Sequence, residues 1–296
     1  MVRLSDGLGE VRASLPSQHS SPVGAKQIDR RVIRIMMEGM VATEPTPDSL
    51  SGRYGLVLSD LHLFSIRSVG EECLASIRDQ LAGARVIVLN GDTFDFRWST
   101  IGTEEHTIAA ALDWLRAFVA DHPQADVHFI LGNHDCLAAF TFRLDSLASG
   151  LPRFHWHETV LQLGGNLFVH GDCAHRPMDA AGLDHYRSLW RHDKPRHRLL
   201  GHGYRVADRL GITWLAHRSH FTRAKTLARL TWYLDCTNSS WRGATRDCYF
   251  GHTHLPMRDC EWDGVRFHNT GSAIQGSPFS PLRFALPAPP IPPAGK

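Results

Sequence analysis

Short apolar runs, each closing on a knot of polar residues, recur through the middle of the chain. Tyr54-Gly-Leu-Val-Leu58, Val86-Ile-Val-Leu89, Val127-His-Phe-Ile-Leu131 and Cys248-Tyr-Phe250 are three to five residues long and mostly apolar. That length, with its β-branched and bulky side chains, predicts buried strands. Weaker runs at 159–163, 166–169 and Val265–His268 read the same way. Between the first strands the period changes. Leu74, Ile77 and Leu81 repeat at helical spacing behind Ser68-x-x-Glu71, a capping-box signature. Residues 104–120 put Ile108, Ala111, Leu112, Leu115, Phe118 and Val119 on one helical face. Strand, helix, strand, helix, strand up to residue 131 predicts an α/β sheet.

From 176 to 235 the strand pattern stops, and Tyr204, Ala207, Leu210 and Trp214 fall at helical intervals. Between Arg187 and Arg229 eleven Lys or Arg stand against two Asp. This segment, about 176–240, reads as a basic helical cap inserted into the sheet fold. Residues 1–25 are rich in Ser, Gly and Pro without periodicity and predict disorder. Residues 26–40 suit a short amphipathic helix, followed by a Pro-containing linker. The organised domain is expected over 51–276, with 1–50 as an extension. The tail from Ser277 is rich in proline and is expected to be extended or disordered.

Composition adds a class and a hint. A chain of 296 residues with 43% hydrophobic side chains can bury a sizeable core. A net charge of +2 excludes a globally polybasic or polyacidic protein, so any charged surface is local. The six cysteines include no C-x-x-C pair and suit a reducing compartment. No apolar run reaches the length of a bilayer span, so a cytoplasmic protein is expected, with attachment to the inner membrane surface left open. Nineteen histidines direct attention to metal binding.

The chemistry sits where the strands end. Asp60/His62, Asp92/Asp95, Asn133/His134, His170/Asp172 and His252/His254 each follow a predicted strand. Singly, each is equally a turn or a solvated loop. Strand ends of one sheet converge, however, and such ends are where α/β proteins bind ligands. Carboxylates and imidazoles buried together without a cation would repel or stand unpaired. Mixed oxygen and nitrogen donors suit manganese, iron, cobalt, nickel or zinc better than calcium or magnesium alone. The absence of cysteine from the clusters argues against a structural zinc site.

Asp60-x-His62, Gly91-Asp92-x-x-Asp95, Gly132-Asn133-His134-Asp135, His170 in His-Gly-Asp and Gly251-His252-x-His254 together resemble, in order and spacing, the five motifs of the calcineurin-like metallophosphoesterases. The resemblance covers roughly residues 54–275. It implies an α/β fold of two mixed sheets flanked by helices, a four-layer αββα sandwich, with two divalent cations at one edge and manganese foremost. Carried over residue by residue, Asp60, His62 and His254 would hold one cation. Asn133, His170 and His252 would hold the other, and Asp92 would bridge both. His134 would face the leaving group, oriented by Asp95. The implied reaction is in-line hydrolysis of a phosphodiester or pyrophosphate.

Within that superfamily the chain is most similar to the UDP-2,3-diacylglucosamine pyrophosphatases, through Ser59-Asp-Leu-His-Leu63, Gly91-Asp-Thr-Phe-Asp-Phe96 and the helical insert. His134 stands where those enzymes commonly carry arginine. The likeness implies a phosphorylated small molecule or glycolipid as substrate. Trp190, Leu199, Leu200, Leu210, Trp214 and Leu215 are then candidates for an acyl groove. Arg218, Arg223 and Lys225 are candidates for contact with phosphate or an anionic membrane. The same apolar residues serve equally as the insert's own core. Two other classes use the same fold. A nuclease would lay its substrate backbone on the basic segment, although the aromatics there do not interleave with the basic residues as a stacking platform would. A non-catalytic scaffold would have lost ligands, and here all seven positions are filled.

Overall fold

The computed structural model describes residues 54–192 and 198–286. The N-terminal extension with its amphipathic segment and the tail beyond 286 lie outside the described residues, as do the side chains of Leu199, Leu200 and Trp214. The apolar runs form strands β1 (Tyr54–Leu58), β2 (Val86–Asn90), β3 (Asp126–Ile130), β4 (Phe154–His157), β5 (Val160–Leu163), β6 (Asn166–Val169), β7 (Asp247–Phe250), β8 (Met257–Trp262), β9 (Val265–Asn269) and β10 (Leu282–Ala285). The first half contributes helices α1 (Gly70–Ser76), α2 (Arg78–Gly83), α3 (Glu104–Asp121) and α4 (Ala138–Gly150). The insert contributes α5 (Ala180–Arg191), α6 (Arg198–Arg209), α7 (Ile212–His220), α8 (Arg223–Thr237) and α9 (Trp241–Ala244).

The strands make two five-stranded mixed sheets, in the orders β10-β1-β2-β3-β4 and β5-β6-β7-β9-β8. In the first, β1 to β4 run parallel and β10 pairs antiparallel with β1. In the second, β6, β7 and β9 run parallel between antiparallel β5 and β8. Parallel strands buried on both faces need apolar residues at almost every position. This is why β2 and β6 read as continuous runs rather than alternations. Val57, Val88 and Ile130 of one sheet meet Leu161, Phe168 and Tyr249 of the other in the central layer. Opposite side chains along the same strands, among them Leu56, Ile87 and Phe129, pack outward against α1 to α4. Each such residue contributes about 1.5–3 kcal/mol by leaving water.

The helical insert divides in two. Leu183 and Tyr186 of α5 and Leu227, Leu230, Tyr233 and Leu234 of α8 pack on Leu167, Cys248 and Phe267 of the second sheet. These helices are therefore the sandwich's outer layer, not a cap above it. Helices α6 and α7 and the turn between them expose Tyr204, Val206, Leu210, Ile212 and Leu215, and Leu189 of α5 and Trp232 of α8 are exposed as well. Helices α6 and α7 are fastened to the sandwich by Asp208, which receives Arg67 Nε at 2.5 Å and Nη2 at 3.0 Å.

The expected capping box does not form. Ser68 Oγ donates to Leu61 O and accepts from Gly70 N, so it stabilises the turn before α1. Glu71 instead accepts from Trp114 Nε1, and the helical segment breaks at Ile77 into two short pieces. Within the proline-rich tail, β10 adds a fifth strand to the first sheet. Its Phe284 fills the space that the missing side chain of Gly55 leaves on β1.

Candidate metal centre

The carboxyl ends of β1, β2 and β3 meet those of β6 and β7 because polar groups tie the two sheets together there. Asn90, at the end of β2, donates from Nδ2 to Val169 O and to Tyr249 O, each at 3.2 Å. Its own carbonyl lies 3.2 Å from His170 Nδ1. Ser59 and Thr270 share a hydrogen bond of 2.8 Å between the first sheet and the segment after β9. The ends of five strands are thereby held at one edge.

The backbone there is strained. Asp60, His62, Asp92, His252 and His254 all have positive φ, between 47° and 63°. Non-glycine residues avoid this left-handed region, at about 1–3 kcal/mol each, and such outliers gather at functional sites. Five of the seven expected ligands share it. Neighbouring loops also interlock too closely for side chains. A Cβ on Gly132 would strike Asp92 Oδ1, and one on Gly251 would strike Asp60 Oδ2. Each glycine thus makes room for a ligand from a different motif.

The side chains converge in two groups. Asp60, His62 and His254 form one, and Asp92, His170 and His252 the other. In the first, His62 Nε2 lies 3.2 Å from His254 Nε2, and His254 Nε2 lies 3.3 Å from Asp60 Oδ1. Asp60 accepts the His252 N–H on both oxygens at 3.0 Å, which locks its orientation. Asp92 stands between the groups. Its Oδ1 is occupied by the His134 N–H at 2.8 Å. Its Oδ2 lies 3.3 Å from His170 Nε2 and 3.8 Å from His62 Nε2, facing both groups at once.

A cation pair fits this donor set. Asn133 Oδ1, His170 Nε2 and His252 Nε2, one atom from each residue expected at the second cation, are buried and make no hydrogen bond. Unpartnered buried polar atoms are costly, yet here three occur on the loops around Asp92. The short separation of His170 Nε2 from Asp92 Oδ2 is an electrostatic approach without hydrogen-bond geometry. With Nδ1 of His170 directed at the Asn90 carbonyl, the proton belongs on Nδ1 and the Nε2 lone pair is left for a metal.

Electrostatics point the same way. Burial opposes ionisation of Asp92, but His170 and His134 outweigh it and hold the carboxyl well below the usual range. Burial would lower His170, and Asp92 overrides it, raising the imidazole to about 10. Burial, reinforced by His170, pushes His252 well below its ordinary value, so its ring is neutral. The pocket therefore separates carboxylate charge from imidazole protons that a cation would replace.

Beside the two groups, His134 Nδ1 bonds Asp95 Oδ1 at 2.9 Å. Burial works against the protonated ring, but Asp95 and Asp92 raise it to about 9. His62, Asp95 and His134 also approach one another closely enough to share a cation. Trp190 packs on His134 at 4.6 Å between ring centres, and the Arg97 guanidinium lies 4.6 Å from the Trp190 ring centre. Trp190, half-buried, thus packs against both His134 and Arg97. Arg218, Arg223 and Lys225 are exposed on α7 and at the start of α8.

Other residues at this edge are assigned no role by the motifs. Arg187 of α5 is buried and donates from Nε to Asp172 Oδ2 at 2.7 Å and from Nη2 to Asp172 Oδ1 at 3.1 Å and Leu131 O at 2.9 Å. It ties the loop bearing Asn133 to the loop bearing His170. Asp135 is fully buried, accepts from Thr93 N at 2.9 Å, and is raised by burial and by Asp92 to about 8. From α7, His217 stacks on His254 at 4.8 Å with an interplanar angle of 14°. A basic residue among eleven in the segment gives no sign of its burial. Only the excess of histidine pointed towards His217.

No protein-family profile and no curated protein matches the chain. Among solved structures it is similar to a phosphopantetheinyl hydrolase from Mycobacterium tuberculosis, with 15% identity and a TM-score of 0.39 over 75% of this chain and 90% of that one. It is also similar to a dimetal phosphatase from Danio rerio, with 13% identity and a TM-score of 0.41 over 75% of this chain and 88% of that one.

Proposed function

We propose that the chain is a dinuclear metal-dependent phosphoesterase of the calcineurin-like type, hydrolysing a phosphodiester or pyrophosphate. The observation that carries this reading is the set of three orphaned donor atoms, Asn133 Oδ1, His170 Nε2 and His252 Nε2, on the loops around Asp92. Asp60, His62 and His254 hold one cation, Asn133, His170 and His252 the other, and Asp92 both. When bound, such a pair supplies a nucleophile at neutral pH and neutralises charge on the phosphate oxygens. Manganese is the first choice by donor type.

The protein's own groups do the rest. Asn133 is a neutral ligand, so the loaded site keeps positive charge for an anionic substrate. His134, held by Asp95, donates its proton from Nε2 to the departing oxygen. Arg187 and Asn90 keep the ligand loops in register. Helix α7, which exposes Ile212 and Leu215, also stacks His217 on His254, which favours an amphiphilic substrate. A nucleotide-linked glycolipid such as UDP-2,3-diacylglucosamine, drawn from an anionic membrane surface, fits that surface. Among the described residues no helix is long and apolar enough to cross a membrane.

The test is a side-by-side assay of the manganese-loaded protein on UDP-2,3-diacylglucosamine, nucleotide diesters and DNA. Cleavage of the glycolipid or a diester, lost in Asp92→Ala, is expected. Preference for DNA with steep salt dependence would move the reading to a nuclease. No hydrolysis of any phosphoester by the loaded protein would end it.

A further inference from the structure

We propose that His128, His155 and His157 form a third cation site, separate from the dinuclear centre and specific for a borderline transition metal such as zinc, copper or nickel. The placement follows from strand geometry. His155 and His157 are two apart on β4, so they project from one face of that strand. Parallel β3 sets His128 opposite His155 and Ile130 opposite His157, which brings His128 alongside both. Strand β4 is the edge of the first sheet, and there the face is open: His155 is exposed and the other two half-buried.

The rings gather accordingly. His128 Nδ1 lies 3.0 Å from His157 Nε2. The His128 ring centre is 5.0 Å from that of His155 and 5.3 Å from that of His157. Ligand nitrogens on a tetrahedral zinc at about 2.0–2.1 Å stand roughly 3.3 Å apart, so the first pair is nearly at coordination spacing. As placed, the ring nitrogens of the three do not all lie within reach of one point, and the exposed His155 would complete the set by turning about its own side-chain bonds. The charged groups acting on His128, after burial, are His157 and His155, and together they push it down to about 4. Burial, then His155, lowers His157 as well. These two imidazoles are therefore neutral at neutral pH, with lone pairs available.

Donor type sets the ligand. This cluster offers imidazole alone, whereas the dinuclear centre mixes imidazole with carboxylate and amide. Imidazole sets suit zinc, copper and nickel, and hold manganese, magnesium and calcium poorly. The inference does not rest on the hydrolase reading, and the two fail separately.

The experiment is equilibrium dialysis of the full chain against saturating zinc or saturating manganese, with bound metal counted. Wild-type protein is expected to hold three zinc but two manganese. His155→Asn/His157→Asn is expected to hold two of either. Circular dichroism of the metal-free variant checks its fold, and the exposed single substitution His155→Ala, which should lose the same zinc, replaces it if folding fails. Equal zinc and manganese counts in the wild type, or a zinc count that these substitutions leave unchanged, would overturn the inference. A single wild-type zinc that the variants lose would uphold it while sinking the dinuclear reading.

Discussion

Replacing Arg187 with methionine removes the cation from a fully buried pair while keeping much of its volume. The side chains of Arg187 and Asp172 are 3% and 0% exposed, so water does not screen them. Burial alone would raise Asp172, but Arg187 and His170 hold its carboxyl below the usual range. The variant leaves Asp172 charged without its partner and Leu131 O without a donor. Removing one partner of a buried pair costs about 3–5 kcal/mol. At about 2–4 °C per kcal/mol for a domain of this size, Tm should fall by roughly 6–20 °C. The assay is urea and thermal unfolding of chelator-treated protein. Replacing both partners, as Arg187→Met/Asp172→Leu, should recover most of the loss, since a well-packed apolar pair is often as stable as a buried ion pair. Because the Asp172 pKa is depressed on folding, the pair's contribution is complete above the ordinary carboxyl range. It fades as pH falls from about 4 through the lower folded value, so wild type and Arg187→Met should begin to converge near pH 4 and meet only below the folded value. A single-variant loss under about 1 kcal/mol, the scale of an exposed pair, would refute this reasoning. So would a double variant no more stable than the single one.

His134→Ala should lower kcat by roughly 10²–10⁴, the range of a lost general acid, while metal analysis still finds two cations; loss of a cation would make His134 a ligand instead. Gly132→Ala should lose metal and activity together, because its Cβ meets Asp92 Oδ1; metal content equal to wild type would contradict the interlocking of the loops. Cation binding at pH 7 to 8 should release protons, since Asp92, against the effect of burial, raises His170 in the metal-free protein to about 10. Apparent affinity should therefore climb with pH towards that value. Calorimetry in buffers of different ionisation heat reads the release, and its absence would contradict the assignment of His170 as a ligand.

The strands that carry the motifs were legible because burial on both faces writes an uninterrupted apolar run. Helix α3 was legible because its buried residues keep a helical period. Strand β4 was not, since Phe-His-Trp-His at a sheet edge has no apolar run. Strand β10 was hidden among prolines, and its place depends on a partner far away in sequence, at Gly55. Seven candidate ligands could be named from order and spacing, and the folded chain gathers six of them, all but Asn133, into two groups. What spacing could not convey is how they are held. Positive φ at five ligands is imposed by the surrounding loops against local preference. The support from Asn90 and Arg187 is purely tertiary. The helical insert misled because amphipathic helices read alike whether they cover a sheet or stand above one. Contact with the second sheet decides it for α5 and α8.

The most direct test of the central claim is anomalous diffraction from crystals grown with manganese. Two peaks are expected about 3.5–4 Å apart, one among Asp60, His62 and His254 and one among Asn133, His170 and His252, with Asp92 touching both. No peak at these residues, or a single peak that leaves Asn133, His170 and His252 without a metal, would contradict the account.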